Sequence, residues 1–149
     1  MALLLDGLAA WPLTAKGSQV AIMGSSLGGF YAAVLARRMG CLAVLLNPAA
    51  HPARDLARHL GMQTSWHDAG QTFFFEPRFI DELDAMGSGR IAAPACTLAF
   101  IAQGDEVLDW REMAAFCTEA QVRLIKGSDH ALSDFEAHLP AILDFLHLA

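Results

Sequence analysis

VAIMGSSLGGF, residues 20–30, sets an apolar run against two serines and three glycines. The run has no polar alternation, as in a strand covered on both faces. From Leu27 to Met39 the spacing becomes helical and closes on Arg37, Arg38 and Gly40, which suit the negative end of a helix dipole and a left-handed cap. Between strand and helix, Gly24-Ser25-Ser26-Leu27-Gly28 reads G-x-S-x-G. On a tight strand-to-helix turn the central serine stands exposed, and its neighbours two residues away have to be small or strand and helix collide. Ser26, not Ser25, holds that position. The helix start also aims the Leu27 backbone N–H at any negative charge developing beside Ser26. The five-residue pattern alone turns up by chance in roughly one chain in twenty of this length. Its position between a strand and a capped helix makes it informative.

Working outward, short apolar runs alternate with helical segments, the pattern of an α/β protein with a parallel sheet. Residues 19–23, 42–46, 96–102 and 121–125 are predicted as strands, all central and covered on both faces. Pro52 and Pro77 open helices that Gly61 and Gly87 close. Asp109 with Glu112 reads as a capping box for a helix running to about residue 120, and Pro140 as the start of a last helix to residue 147. The least regular piece is an insertion at about residues 61–89, with Trp66, Phe73, Phe74, Phe75 and Pro77. It is placed either to roof a site or to pack on the core. No second domain is marked, so residues 1–149 are read as one domain.

A serine hydroxyl needs a base to take its proton, and the base needs an orienting carboxylate. In α/β-hydrolases the partners follow in the order Ser, Asp or Glu, His, each on a loop after the carboxyl end of a strand. The run CTLAFIA is followed by Gln103-Gly104-Asp105-Glu106, and QVRLI by Lys126-Gly127-Ser128-Asp129-His130. Asp105 and His130 fall in the two expected loops. Glu106 is the rival acid but reads as solvated, and Asp109 is better used as a helix cap. Asp129 adjoins His130, and consecutive side chains in an extended loop diverge. His51, His59, His67, His138 and His147 read as surface or packing residues.

Bulk properties narrow the partner. The formal charge is −6, with a pI near 5.4 and no basic run, which argues against nucleic acid or an anionic membrane. Three dispersed cysteines, Cys41, Cys96 and Cys117, suggest neither a disulfide framework nor a zinc site. They read as buried thiols of a reducing cytoplasm. The apolar start MALLLDGLAAW lacks a basic region and carries Asp6, so it reads as neither signal peptide nor membrane span. The expectation is a cytoplasmic protein with a small-molecule partner and no metal or cofactor. Its 54% hydrophobic content and mean hydropathy of +0.36 are high for a small soluble domain.

GSSLGGFYA, LLNPAAHP, QGDEVLDWRE and GSDHALSDFEAHLPAILDFL resemble the successive blocks of the YqiA-like esterases, small bacterial α/β-hydrolases. The Asn47-Pro48-Ala49 and Gly104-Asp105-Glu106-Val107-Leu108-Asp109 segments make the resemblance specific. It implies a serine esterase for small carboxylic ester or thioester substrates, with Ser26 as nucleophile, Asp105 as acid and His130 as base. The family pattern also begins with a strand ending in a His-Gly turn, which supplies a second oxyanion donor. Neither is found here, and the N-terminal 16 residues resemble the helix before the nucleophile strand. An N-terminally truncated α/β-hydrolase-like sheet is therefore expected, with an open apolar edge at residues 19–23 able to pair with another copy. The alternative is an impaired hydrolase fragment without a complete oxyanion hole. Loss of one such donor costs on the order of 10² to 10³ in rate.

Overall fold

The computed structural model describes residues 6–7, 20–65, 68, 70–87 and 94–148. Gln19, nearly all of the helix expected over the first 16 residues, Trp66 and His67 lie outside the described residues. Four strands form a parallel sheet: β1 (Ala21–Ser25), β2 (Leu42–Leu46), β5 (Thr97–Ala102) and β6 (Gln121–Ile125), in the order β1-β2-β5-β6. Between the second and third of these comes an antiparallel hairpin, β3 (Gly61–Thr64) with β4 (Thr72–Phe75), in which Met62 faces Phe74. Five α-helices accompany them among the described residues: α1 (Leu27–Met39), α2 (Pro52–Leu56), α3 (Pro77–Ala85), α4 (Trp110–Phe116) and α5 (Phe135–Phe145).

The surroundings of the two inner strands explain why their sequence is almost entirely apolar. Ala43 and Leu45 of β2, with Ala99 and Ile101 of β5, pack against Ala32, Ala33 and Ala36 of α1 and Met113 of α4. Val44, Leu46, Leu98, Phe100 and Ala102 point the other way, toward Leu132 and Ile142. With side chains alternating faces and both faces covered, Thr97 at the start of β5 is the one polar residue in these two strands. Burial pushes the Cys117 thiol pKa up to about 12, while Cys41 and Cys96 are only half-buried.

β6 corrects the expectation that all four strands are central, while an open edge at β1 is what the family pattern implies. β1 and β6 are the edges of this sheet among the described residues. Met23 is 52% exposed and Leu124 49%, each on a strand that has a neighbour on one side among the described residues. Strand β5 begins one residue later than predicted, since Cys96 belongs to a short 3-10 turn.

Helix ends follow the local chemistry in part: Gly61, expected to close the helix from Pro52, opens β3 instead, and the last helix ends at Phe145, short of residue 147. Gly40 takes a left-handed conformation, φ 66°, and its N–H donates to the Ala36 carbonyl. Asp109 caps α4 by accepting from the Arg111 N–H at 2.9 Å. Glu112, however, does not complete a capping box: its carboxylate takes a two-pronged contact from Arg54 at 2.8 and 2.6 Å, tying α4 to α2. That helix ends at Phe116, short of residue 120. Helix α5 starts five residues before Pro140 and carries the proline inside it. Ile142 belongs to the cluster of Val44, Leu98 and Phe100; Phe135 and Phe145 pack against it, and that burial outweighs the backbone bond the proline cannot make.

The insertion is more regular than its composition suggests. Leu83 of α3 and the adjacent Met86 pack against Phe30 and Val34 of α1, so this part rests on the core. The hairpin itself leaves Met62, Phe73 and Phe74 about half-exposed or more.

Candidate active site

The turn between β1 and α1 is as tight as the sequence requires. Ser26 has φ 54° and ψ −123°, a backbone region that costs a non-glycine residue of order 1–3 kcal/mol and persists only when its surroundings hold it. They do: the Ser26 N–H donates to the Leu46 carbonyl at 2.9 Å, and its own carbonyl accepts from Gly29 at 2.9 Å and Ala49 at 3.0 Å. A Cβ on Gly24 would lie 2.1 Å from the Gly28 carbonyl oxygen, so this glycine cannot be replaced without opening the turn. The motif's second glycine is different. A Cβ on Gly28 would meet nothing within 4 Å, whereas one on Gly29 would press to 2.9 Å from Pro48. The steric demand after the serine thus falls on Gly29, because the helix turns that residue, and not Gly28, toward the end of β2.

Asp105 and His130 come from the loops after β5 and β6. Gly104 lets those loops touch, as a Cβ there would lie 2.4 Å from the Ser128 carbonyl oxygen. The Asp105 side chain is fully buried, and its Oδ1 accepts from the N–H groups of Val107 and Leu108, each at 2.8 Å. Those bonds satisfy one oxygen and leave Oδ2 aimed at His130 Nδ1, 2.8 Å away. On the other side of the ring, His130 Nε2 lies 3.0 Å from Ser26 Oγ. The three side chains singled out from the sequence are therefore in one hydrogen-bonded line. The Leu27 N–H stands at the start of α1, where the first turn leaves its donors without intrahelical acceptors.

The rival carboxylates have other tasks. Asp129 accepts from the Ser133 N–H at 2.9 Å and the Ser133 hydroxyl at 2.6 Å, bonds that hold its pKa below the ordinary aspartate value. Glu106 is not merely solvated: its Oε2 accepts from the His130 N–H at 3.0 Å. Of the other histidines, His138 pairs with Asp134 at 3.2 Å and lies against the Phe100 ring. A further group went unread as part of the site. The buried Asn47 side chain donates to the carbonyls of Asp129 and His130 and accepts from the Ala102 N–H. Its only sequence signal was the Asn-Pro-Ala segment at the end of β2.

A family model described as the uncharacterised protein family UPF0227 matches residues 3–147. The chain belongs to UPF0227. This is the YqiA-like family to which the sequence blocks point. The UPF0227 chain also superposes on solved structures. One is a putative hydrolase from Agrobacterium vitis S4, with TM-score 0.67, 17% identity, and coverage of 96% of this chain and 64% of that one. Another is Est1E from Butyrivibrio proteoclasticus with bound ferulic acid, with TM-score 0.67, 15% identity, and coverage of 97% and 64%. A third is the mouse alpha/beta hydrolase domain-containing protein 10, with TM-score 0.62, 21% identity, and coverage of 95% and 66%. At these identities the likeness establishes the α/β-hydrolase fold. The chain spans 64% of the length of the first two structures.

Proposed function

We propose that this UPF0227 chain carries the acyl-transfer site of a serine hydrolase acting on small carboxylic esters or thioesters. The observation that carries the reading is the line Ser26 Oγ, His130 Nε2, His130 Nδ1, Asp105 Oδ2, with steps of 3.0 and 2.8 Å. In this reading Asp105 accepts from the Nδ1–H, which leaves the Nε2 lone pair facing the serine hydroxyl. Ser26 Oγ attacks the carbonyl carbon as its proton passes to Nε2, and the imidazolium then protonates the leaving alcohol or thiol. Water repeats the cycle on the acyl-enzyme, returning Ser26 and releasing the acid. The Leu27 N–H donates to the developing oxyanion, and the α1 dipole adds to it. The folds it shares with Est1E and with a putative hydrolase support the reaction class.

The test is fluorophosphonate labelling and p-nitrophenyl acetate turnover of the chain and of its Ser26→Ala variant. The expected result is one label per chain and measurable turnover, both lost in the variant while circular dichroism is unchanged. Equal labelling of the folded variant overturns the assignment of Ser26. Labelling without turnover favours the impaired-hydrolase alternative, because the nucleophile is then competent and the oxyanion site is not.

A further inference from the structure

Asn47 is fully buried, one of two polar residues among the buried ones described, and sits just after β2 with φ 42°. Asparagine is the non-glycine residue that best tolerates that left-handed conformation. Its carboxamide uses both ends. Nδ2 donates to the Asp129 carbonyl at 3.0 Å and the His130 carbonyl at 3.1 Å, and Oδ1 accepts from the Ala102 N–H at 2.8 Å. Its backbone N–H donates to the Phe100 carbonyl at 2.9 Å. One side chain therefore ties the loop carrying His130 to the end of β5, the strand that leads into the Asp105 loop.

The same short segment holds the serine. Leu46 accepts from the Ser26 N–H, and Ala49 donates to the Ser26 carbonyl, at 2.9 and 3.0 Å. Four consecutive residues thus grip the backbone of Ser26 at one end and, through the Asn47 amide, the backbone of His130. We infer that Asn47 is a positioning residue: it fixes the depth at which His130 presents Nε2 to Ser26. The inference rests on the hydrolase reading above. The chemistry is specific to a carboxamide, since two carbonyl oxygens need two N–H donors and the Ala102 N–H needs an acceptor. A carboxylate of the same shape turns both donors into acceptors facing carbonyl oxygens.

Two variants separate positioning from stability. Asn47→Asp keeps the shape and reverses the donors; Asn47→Gly keeps the backbone conformation and removes the tether. Thr97→Val, at the other buried polar residue, is the control for loss of a buried polar group elsewhere. The readouts are kcat and KM for p-nitrophenyl acetate, and the rate constant of fluorophosphonate labelling per folded chain, with the folded fraction taken from circular dichroism. Misplacing a reacting group by about 1 Å can cost 10²-fold. Both Asn47 variants are expected to lose roughly 10- to 10²-fold in kcat and labelling rate per folded chain. KM is expected to stay within about twofold, with Thr97→Val close to wild type in both rates. Rates per folded chain within about twofold of wild type in either Asn47 variant overturn the inference, as does an equal loss in Thr97→Val. If the wild-type chain itself neither labels nor turns over, the failure belongs to the hydrolase reading instead.

Discussion

Ser26 occupies a backbone conformation that most residues avoid, and the glycines around it divide the cost unequally. Gly24→Ala drives a methyl into the Gly28 carbonyl, while Gly28→Ala places one in open space on a helix. Alanine at a compatible helical site stabilises by about 0.4–1 kcal/mol through the unfolded chain. Urea denaturation is expected to show Gly28→Ala at or above wild-type stability and Gly24→Ala well below it; the reverse order would contradict the turn described. Acid sensitivity also belongs to single residues. Asp129, bonded to Ser133, and Asp134, bonded first to Ser128, have folded pKa values below the ordinary 3.8. Such groups add their share of stability above pH 3.8, and it is lost as pH falls through the lower folded values. An NMR carboxyl titration is expected to place both midpoints under 3.8, with the Ser133 amide resonance moving together with Asp129. Midpoints at or above 3.8 would remove these bonds as loop anchors.

At the scale of elements, helix α5 is the place where packing overrides local preference. Proline inside a helix removes one backbone hydrogen bond and crowds the preceding turn, a cost of about 3 kcal/mol. Pro140→Ala is expected to raise stability by up to that amount in chemical denaturation, with α5 unchanged by amide exchange. A loss of stability would mean that the proline ring packs better than it disrupts. The tie between Arg54 and Glu112 illustrates the same rule in another form. Glu112 stands three residues after a capping aspartate, as in a capping box, yet the bidentate guanidinium on a neighbouring helix takes its carboxylate.

At the scale of the molecule, the sheet has two well-covered strands and, among the described residues, two edge strands. Met23 on β1, together with an edge that pairs with no other strand among the described residues, makes a template for another strand. Self-association through β1 is the expected consequence, as a proposal separate from the fold. Analytical ultracentrifugation over a range of concentrations should show it, and Met23→Lys should weaken it, because edge lysines resist strand pairing. A strictly monomeric wild-type chain at high concentration would refute it. The exposed Met62, Phe73 and Phe74 offer a second apolar surface, so a Met23→Lys variant that associates undiminished would shift attention there.

Local patterns determined the alternating α/β order and the bounds of β2, α1 and β6, and together with the hydrolase order of serine, acid and histidine they singled out Ser26, Asp105 and His130. Those patterns depend on short-range chemistry: a serine between glycines on a turn, and a polar loop following an apolar strand. Tertiary structure decided what depends on neighbours distant in sequence. It made β6 an edge, since edge or centre is a property of the sheet and not of the strand. It moved the glycine constraint from Gly28 to Gly29, because Pro48 arrives from the next βα unit. It gave Glu106 and Asn47 their hold on His130, 24 and 83 residues away in the chain. A buried amide spends its hydrogen bonds on whichever backbone groups the fold leaves unpaired, and those are settled only when the strands have assembled.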